Sequence, residues 1–263
     1  MTTSHTHITS DAGVLSISVA TTARGTSLSA TGLAQGIDAL HGAGPDDIGA
    51  VVLVGEGANF CAGGDVRAFA NEPNRGEFVG DLAHLFNHFV RAIIAIQAPV
   101  VAAVNGWAAG AGMSIVLHSD IALGSPSTKL RPAYPSIGFT PDGGMSWTLP
   151  RVVGLARARE ILLTDAVLNA GEAVRLGILS RLVPEEELQN EAMRVARSLV
   201  SGPTAAYART RELLAESAER SLIEQLDAEA AAIAIAANNP TGIEGVNAFI
   251  EKRDPDFNAV ARR

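Results

Sequence analysis

Two glycine-rich runs carry the residues best suited to chemistry: Asn59-Phe60-Cys61-Ala62-Gly63-Gly64-Asp65 and Asn105-Gly106-Trp107-Ala108-Ala109-Gly110-Ala111-Gly112. Each follows a short aliphatic segment and ends where a helical pattern begins. Small residues there let the backbone approach a ligand closely, and the first N–H groups of a helix have no partner within it. Such groups stabilise negative charge developing in front of them. Two donors converging on one oxygen form an oxyanion hole, worth roughly 3–4 kcal/mol per donor in measured enzymes. Tight turns and close helix–strand packing use the same residue types, so the two runs alone leave both readings open.

The remaining reactive side chains point elsewhere. Cys61 is the sole cysteine, which forbids an intrachain disulfide and reads as a small packed residue. His84 and His88 stand at helical i, i+4 spacing, but no cysteine cluster or suitably spaced carboxylate accompanies them. A solvated helix face is the expectation there, and no metal site.

The elements that must position the two runs are legible from periodicity. Val14 to Ala20 alternates as a half-buried strand, and Leu28 to Leu40 carries apolar residues at helical spacing, with Ser29 as a candidate cap. Gly49–Val54, Pro99–Val104 and Ile121–Gly124 read as short buried strands, and Phe78 to Ile96 as a long amphipathic helix. Strand and helix therefore alternate with crossovers, the pattern of an α/β core. From Val183 the chain turns almost wholly helical, over Glu185–Val200, Thr204–Ser217, Leu222–Ala237 and Thr241–Lys252. The expected organisation is an α/β core over 1–200 and a helical segment over 201–263.

Composition limits the function classes. With 263 residues and 47% apolar content the chain can bury one sizeable core. A net charge of −8 argues against a broad nucleic-acid or anionic-membrane surface, yet leaves room for an anionic ligand held by a few local cations and helix ends. The uncharged run Ala92 to Leu117 is long enough to span a bilayer, but Pro99, Asn105 and three glycines divide it into a helix end, a strand, a loop and a new helix. Met1 to Gly13 is polar, without the basic and apolar regions of a secretory signal, and reads as a frayed leader on a cytoplasmic protein.

Several separated motifs, in order, resemble the crotonase (enoyl-CoA hydratase/isomerase) superfamily. They are Phe60-Cys61-Ala62-Gly63-Gly64-Asp65-Val66, Val101-Ala102-Ala103-Val104-Asn105-Gly106, Gly110-Ala111-Gly112 and Leu117-His118-Ser119-Asp120-Ile121. Thr140-Pro141-Asp142-Gly143-Gly144, Leu149 to Gly154, Ala173 to Gly177 and Gly245 to Arg253 continue the match, which runs from about Val14 to Phe257. The resemblance implies a ClpP-like spiral of ββα units, with a C-terminal helical segment that assembles a homotrimer or a dimer of trimers. It also implies acyl-CoA thioester substrates and no cofactor beyond the coenzyme A that the substrate carries. By the same resemblance the oxyanion donors fall on Gly64 and Ala111, and Phe249 and Lys252 match positions that approach the CoA of a neighbouring subunit. Ala62, Asp65, Asn87, Ser114 and Tyr134 are candidate substrate contacts, although an aspartate placed as Asp65 is more often a loop-fixing acceptor.

Where the sequence departs from the family it becomes more specific. Hydratases in the family hold water between two glutamates, at the places of Ser114 and Tyr134, and neither is present. Adding water needs one group to activate oxygen and another to deliver a proton, so a serine and a tyrosine make a poor pair. The remaining acid, Asp142, resembles the aspartate of several isomerase branches and of the 4-chlorobenzoyl-CoA dehalogenases. Asn87 resembles the epoxyphenylacetyl-CoA isomerase branch, whereas dehalogenases carry a histidine at that place. A single carboxylate can take a proton from one carbon of a thioester enolate and return it to another. The expected activity is thus an acyl-CoA double-bond or ring isomerase, with a hydratase of fatty-acid or aromatic-acid degradation, or a non-catalytic acyl-CoA binder, as alternatives. An Asx turn or a helix cap is the structural alternative for Asp142.

Overall fold

A computed structural model describes residues 7–20, 26–42 and 47–261. Most of the polar leader, His5 included, lies outside the described residues. Its last part is not frayed: Ile8–Asp11 forms β1, antiparallel to β2 (Val14–Ala20). Ala12 and Gly13 both take positive φ (48° and 81°), the two-residue turn whose twist suits a hairpin. The expected half-burial of β2 is also corrected, because Ser18 on its polar face is buried at 7% exposure, its hydroxyl satisfied by the Ala20 carbonyl at 3.0 Å.

The main sheet has the order β1-β2-β3-β4-β6-β9, where β3 is Ala50–Gly55, β4 Val100–Val104, β6 Ile121–Gly124 and β9 Arg181–Leu182. All neighbours after the hairpin run parallel. Central parallel strands are covered on both faces, which explains why β3 and β4 read as unbroken aliphatic runs rather than alternations. One face lies under α1 (Ala30–Gly42) and α3 (Arg75–Ala95), whose Leu33, Phe86, Phe89 and Ile93 join Ile17, Val51 and Leu53 in the larger core. The other face, with Val52, Val101 and Ala103, is covered by Leu188, Ala192 and Ala196 of α8 (Leu188–Val200).

A smaller sheet stands after the main one in each spiral turn. It is made of β5 (Trp107–Ala109), β7 (Lys129–Arg131) and β8 (Leu168–Asn169), extended by a parallel bridge between Cys61 and Ala108. Short helices follow its strands: α2 (Val66–Asn71) after the Cys61 loop and α4 (Ala111–Leu117) after β5. Helices α5 (Met145–Val153), α6 (Leu155–Thr164) and α7 (Ala170–Arg175) close this end. The uncharged run 92–117 is divided as its punctuation predicts, and no helix among the described residues is long and apolar enough to cross a membrane.

The C-terminal helices are α9 (Thr204–Glu216), α10 (Leu222–Asn238), α11 (Pro240–Glu251) and α12 (Phe257–Ala261). Arg211 ties α9 to the α/β core, donating to Asp120 at 2.8 Å and to the Ile93 carbonyl at 3.1 Å. Their interiors are sparse, with Ala232 the only buried residue of α10, while Leu222, Ile223, Ile233 and Phe249 are largely exposed.

Candidate active site

The two glycine-rich runs lie side by side because the spiral makes their ends into adjacent strands. Phe60 N–H donates to the Asn105 carbonyl (2.8 Å), Cys61 N–H to Trp107 (3.0 Å) and Ala109 N–H back to Cys61 (2.9 Å). The approach is so close that a Cβ at Gly112 would collide with the Cys61 carbonyl oxygen. Leu28 N–H donates to the Gly63 carbonyl at 2.8 Å, and this holds the first loop from its other side.

Just beyond this ladder, both loops release their donors. Gly64 precedes α2 and Ala111 is the first residue of α4. Among the described residues, neither N–H has a backbone or side-chain acceptor, while Gly110 N–H between them is used by Arg131 at 3.0 Å. Gly64 and Ala111 share one cavity of about 920 Å³ with Asp142 and Tyr134. Its apolar wall includes Phe69, which stacks on Phe139 at 6.2 Å and meets Phe78 edge-on at 6.3 Å.

Two carboxylates line this cavity, and they differ in what they do. Asp65 caps α2, accepting from Arg67 N–H (3.1 Å) and Ala68 N–H (3.2 Å), the loop-fixing role anticipated for it. Asp142 does not cap the following helix, since α5 begins at Met145 with Gly144 as its N-cap and no side-chain cap. Its Oδ1 instead accepts a 2.6 Å hydrogen bond from the Tyr134 hydroxyl. Burial pushes the Asp142 carboxyl above its ordinary value, although the Tyr134 bond pulls the other way. Burial first, and then the Asp142 charge, raise the Tyr134 phenol, so it stays protonated and donates.

The chain reaches this geometry through strained but well-held backbone. Ala133, with φ 62°, turns the chain into Tyr134, and its N–H donates to Asp165 Oδ1 at 2.7 Å. Asp165, itself at φ 53°, accepts from Arg131 Nε at 3.1 Å through Oδ2. After Asp142 the chain passes through Gly143 (φ 57°) and Gly144 (φ 78°), and a Cβ on Gly143 would collide with the Phe86 ring. No side chain but hydrogen suits that position.

The other expected site residues fall in different places. Ala62 and Asp65 line the cavity, as does Tyr134. Ser114 does not: it is fully buried in α4, and its hydroxyl donates to the Asp142 carbonyl at 3.1 Å. Asn87 is also outside the cavity lining, half-buried on α3, where its neighbour Phe86 reaches the wall. The helical phase decides this, since adjacent residues lie about 100° apart. Phe249, 86% exposed on α11, and Lys252 at the end of that helix are not brought to the cavity within one chain. Cys61 is buried, its thiol pushed up to about 12 by desolvation, and His84 and His88 are exposed on α3. Among the described residues no group of three or more His, Cys, Asp or Glu could hold a metal ion. The Tyr134–Asp142 bond and the Arg131–Asp165 strut are features that sequence reasoning missed, because they join residues 8 and 34 apart across loops of irregular backbone.

Known proteins resemble this chain over most of its length. The family model described as Enoyl-CoA hydratase/isomerase matches residues 9–260. A probable enoyl-CoA hydratase of Rhodobacter capsulatus is 36% identical over 208 residues, 79% of this chain and 80% of its own. The 1,2-epoxyphenylacetyl-CoA isomerase of Escherichia coli is 34% identical over 214 residues, 81% of this chain and 82% of its own. Among solved structures, an enoyl-CoA hydratase from Polaromonas sp. JS666 superposes with a TM-score of 0.89 at 32% identity, covering 94% of this chain and 97% of that one.

Proposed function

Because the chain belongs to the enoyl-CoA hydratase/isomerase family, the crotonase superfamily of enzymes acting on acyl-CoA thioesters, we propose that it is an acyl-CoA isomerase with Asp142 as its proton shuttle. The observation that carries this reading is the carboxylate of Asp142, bonded by Tyr134 through Oδ1, which lines the same cavity as the N–H groups of Gly64 and Ala111, unpaired among the described residues. A thioester carbonyl oxygen held between those two donors becomes the oxyanion of an enolate when a proton leaves C2. The Asp142 carboxylate takes that proton, and the electron pair of the C–H bond enters the enolate. Returning the proton at C4 of a 3-enoyl thioester moves the double bond into conjugation and restores the free carboxylate. A raised Asp142 pKa suits both halves of the cycle, since a base that is too weak cannot remove the proton and one that is too strong cannot return it.

Tyr134 has a supporting part in this reading. Its hydroxyl is committed to the carboxylate and holds it in one rotamer, and the bond weakens as Asp142 takes up the proton. Hydration is disfavoured by the hydrogen bonds around the cavity: Ser114 is turned to a backbone carbonyl, Tyr134 to Asp142, and the other lining carboxylate, Asp65, accepts from the N–H groups that start α2, so none of the three is placed to pair with Asp142 in handling water. The exposed apolar residues of α9 to α11 support assembly into a homotrimer or a dimer of trimers, and Phe249 and Lys252 would then serve a neighbouring subunit's CoA. We further propose that the enzyme works in the cytoplasm and needs no cofactor beyond the CoA that the substrate carries.

The test is turnover of a 3-enoyl-CoA followed by the absorbance of the conjugated thioester product. The wild-type protein should form that product, and Asp142→Asn should slow it by about 10²–10⁴-fold, the usual worth of one acid–base group. Rapid conversion of 2-enoyl-CoA to 3-hydroxyacyl-CoA, with no isomerisation, would replace the isomerase reading with that of a hydratase.

A further inference from the structure

Helix α4 connects the two halves of the site. Its first residue, Ala111, offers its N–H to the cavity, and three and seven positions later Ser114 and His118 stand on the same helical side. Both turn to the segment that carries Asp142, and they take consecutive carbonyls: Ser114 Oγ donates to that of Asp142 at 3.1 Å, and His118 Nε2 to that of Gly143 at 2.8 Å. A carbonyl can only accept, so the His118 hydrogen resides on Nε2. Burial lowers the His118 pKa and keeps the ring neutral.

These bonds fall where the chain most needs them. Gly143 and Gly144 pass through left-handed backbone at φ 57° and 78°, and glycine has more freedom to lose than any other residue. No side-chain cap at the start of α5 restrains the segment. The His118 ring also sits within 3.0 Å of where a Cβ on Gly144 would lie, so it sets the position of that residue as well.

We propose that Ser114 and His118 are positioning residues that use α4 as a ruler, setting the distance from the oxyanion donor at Ala111 to the Asp142 carboxylate. The proposal rests on the reading of Asp142 as proton shuttle, and it assigns the serine at a hydratase-glutamate place a role in holding the isomerase acid. Neither residue is among those lining the cavity. Both act on the rate of proton transfer, because a displacement of about 1 Å in a reacting group can cost on the order of 10²-fold.

The experiment is steady-state kinetics of Ser114→Ala, His118→Leu and His118→Gln beside Asp142→Asn, with 3-enoyl-CoA as substrate and thermal unfolding recorded for each. We expect kcat to fall by roughly 10- to 100-fold in Ser114→Ala and His118→Leu while KM stays close to wild type. His118→Gln, which keeps an N–H donor, should recover most of the loss. Wild-type kcat in both deletions, a KM that rises in step with the loss of kcat, or a glutamine variant no better than leucine would each overturn the proposal. If His118→Leu does not fold, Ser114→Ala alone decides by the same criteria. A fully active Asp142→Asn defeats the isomerase reading and this proposal together, whereas an inactive one beside fully active Ser114→Ala and His118→Leu defeats only the positioning role.

Discussion

At the scale of single residues, the site depends on one hydrogen bond of 2.6 Å between Tyr134 and Asp142. That bond favours the charged carboxylate and opposes the upward push of burial. Tyr134→Phe removes the opposing influence, so the Asp142 pKa should rise further. In its proposed role as base Asp142 must be ionised to act, and the acid limb of the kcat–pH profile should therefore move to higher pH in the variant. An unmoved limb would show that Asp142 does not govern it. Cys61 gives a control from the same loop: with its thiol pushed up to about 12 and no exposed surface, it should resist thiol reagents in the native protein and react once urea unfolds it. Sequence alone brought Asp142, Gly64 and Ala111 to notice because glycines and an acid in fixed motifs leave a local mark. It misplaced Ser114 and Asn87, because whether a helical residue faces a cavity or a neighbouring loop depends on a few tens of degrees of helix rotation.

At the scale of elements, convergence of the two donor loops follows from the Cys61–Ala108 bridge and the lack of a side chain at Gly112. Gly112→Ala must push the loops apart. It should lower stability by about 1–3 kcal/mol, read from the urea midpoint, and reduce kcat through a widened oxyanion hole. Ala111→Pro probes the donor itself. Proline is tolerated at the first position of a helix, where its missing N–H costs no internal bond. The fold should persist while kcat drops by roughly 10²–10³-fold, the loss seen when one oxyanion donor is deleted. Elements of this kind were legible from sequence where periodicity is strong, as in β3, β4 and α3. The β1 hairpin was hidden because Ile8–Asp11 offers only four residues, mostly polar, and its pairing is set by the Ala12–Gly13 turn.

For the whole molecule, the proposed role of Asp142 and stability pull in opposite directions. A carboxyl raised in the folded state binds its proton more tightly than in the unfolded chain, so it contributes stability below its folded pKa and loses that contribution as pH rises through it. At neutral pH the wild type therefore carries a buried charge that Asp142→Asn lacks. The variant should unfold at a temperature equal to or above the wild type at pH 7, with the difference shrinking as pH falls. A variant markedly less stable at pH 7 would mean that the carboxylate is a structural anchor. On the outer helices, Leu222, Ile223 and Phe249 leave apolar surface exposed among the described residues. Their helical nature was readable from sequence, but what covers the apolar surface was not, because an apolar stripe looks the same in sequence whether it is buried within a chain or against another.

The central claim is that Asp142 removes the C2 proton of a thioester held by Gly64 and Ala111, and nuclear magnetic resonance in D₂O tests it most directly. With 3-enoyl-CoA, the wild type should give the conjugated 2-enoyl product with C4 protonated by the shuttle, and Asp142→Asn should stop both isomerisation and exchange at C2. Undiminished C2 exchange in Asp142→Asn, or 3-hydroxyacyl-CoA as the main product of the wild type, would contradict it.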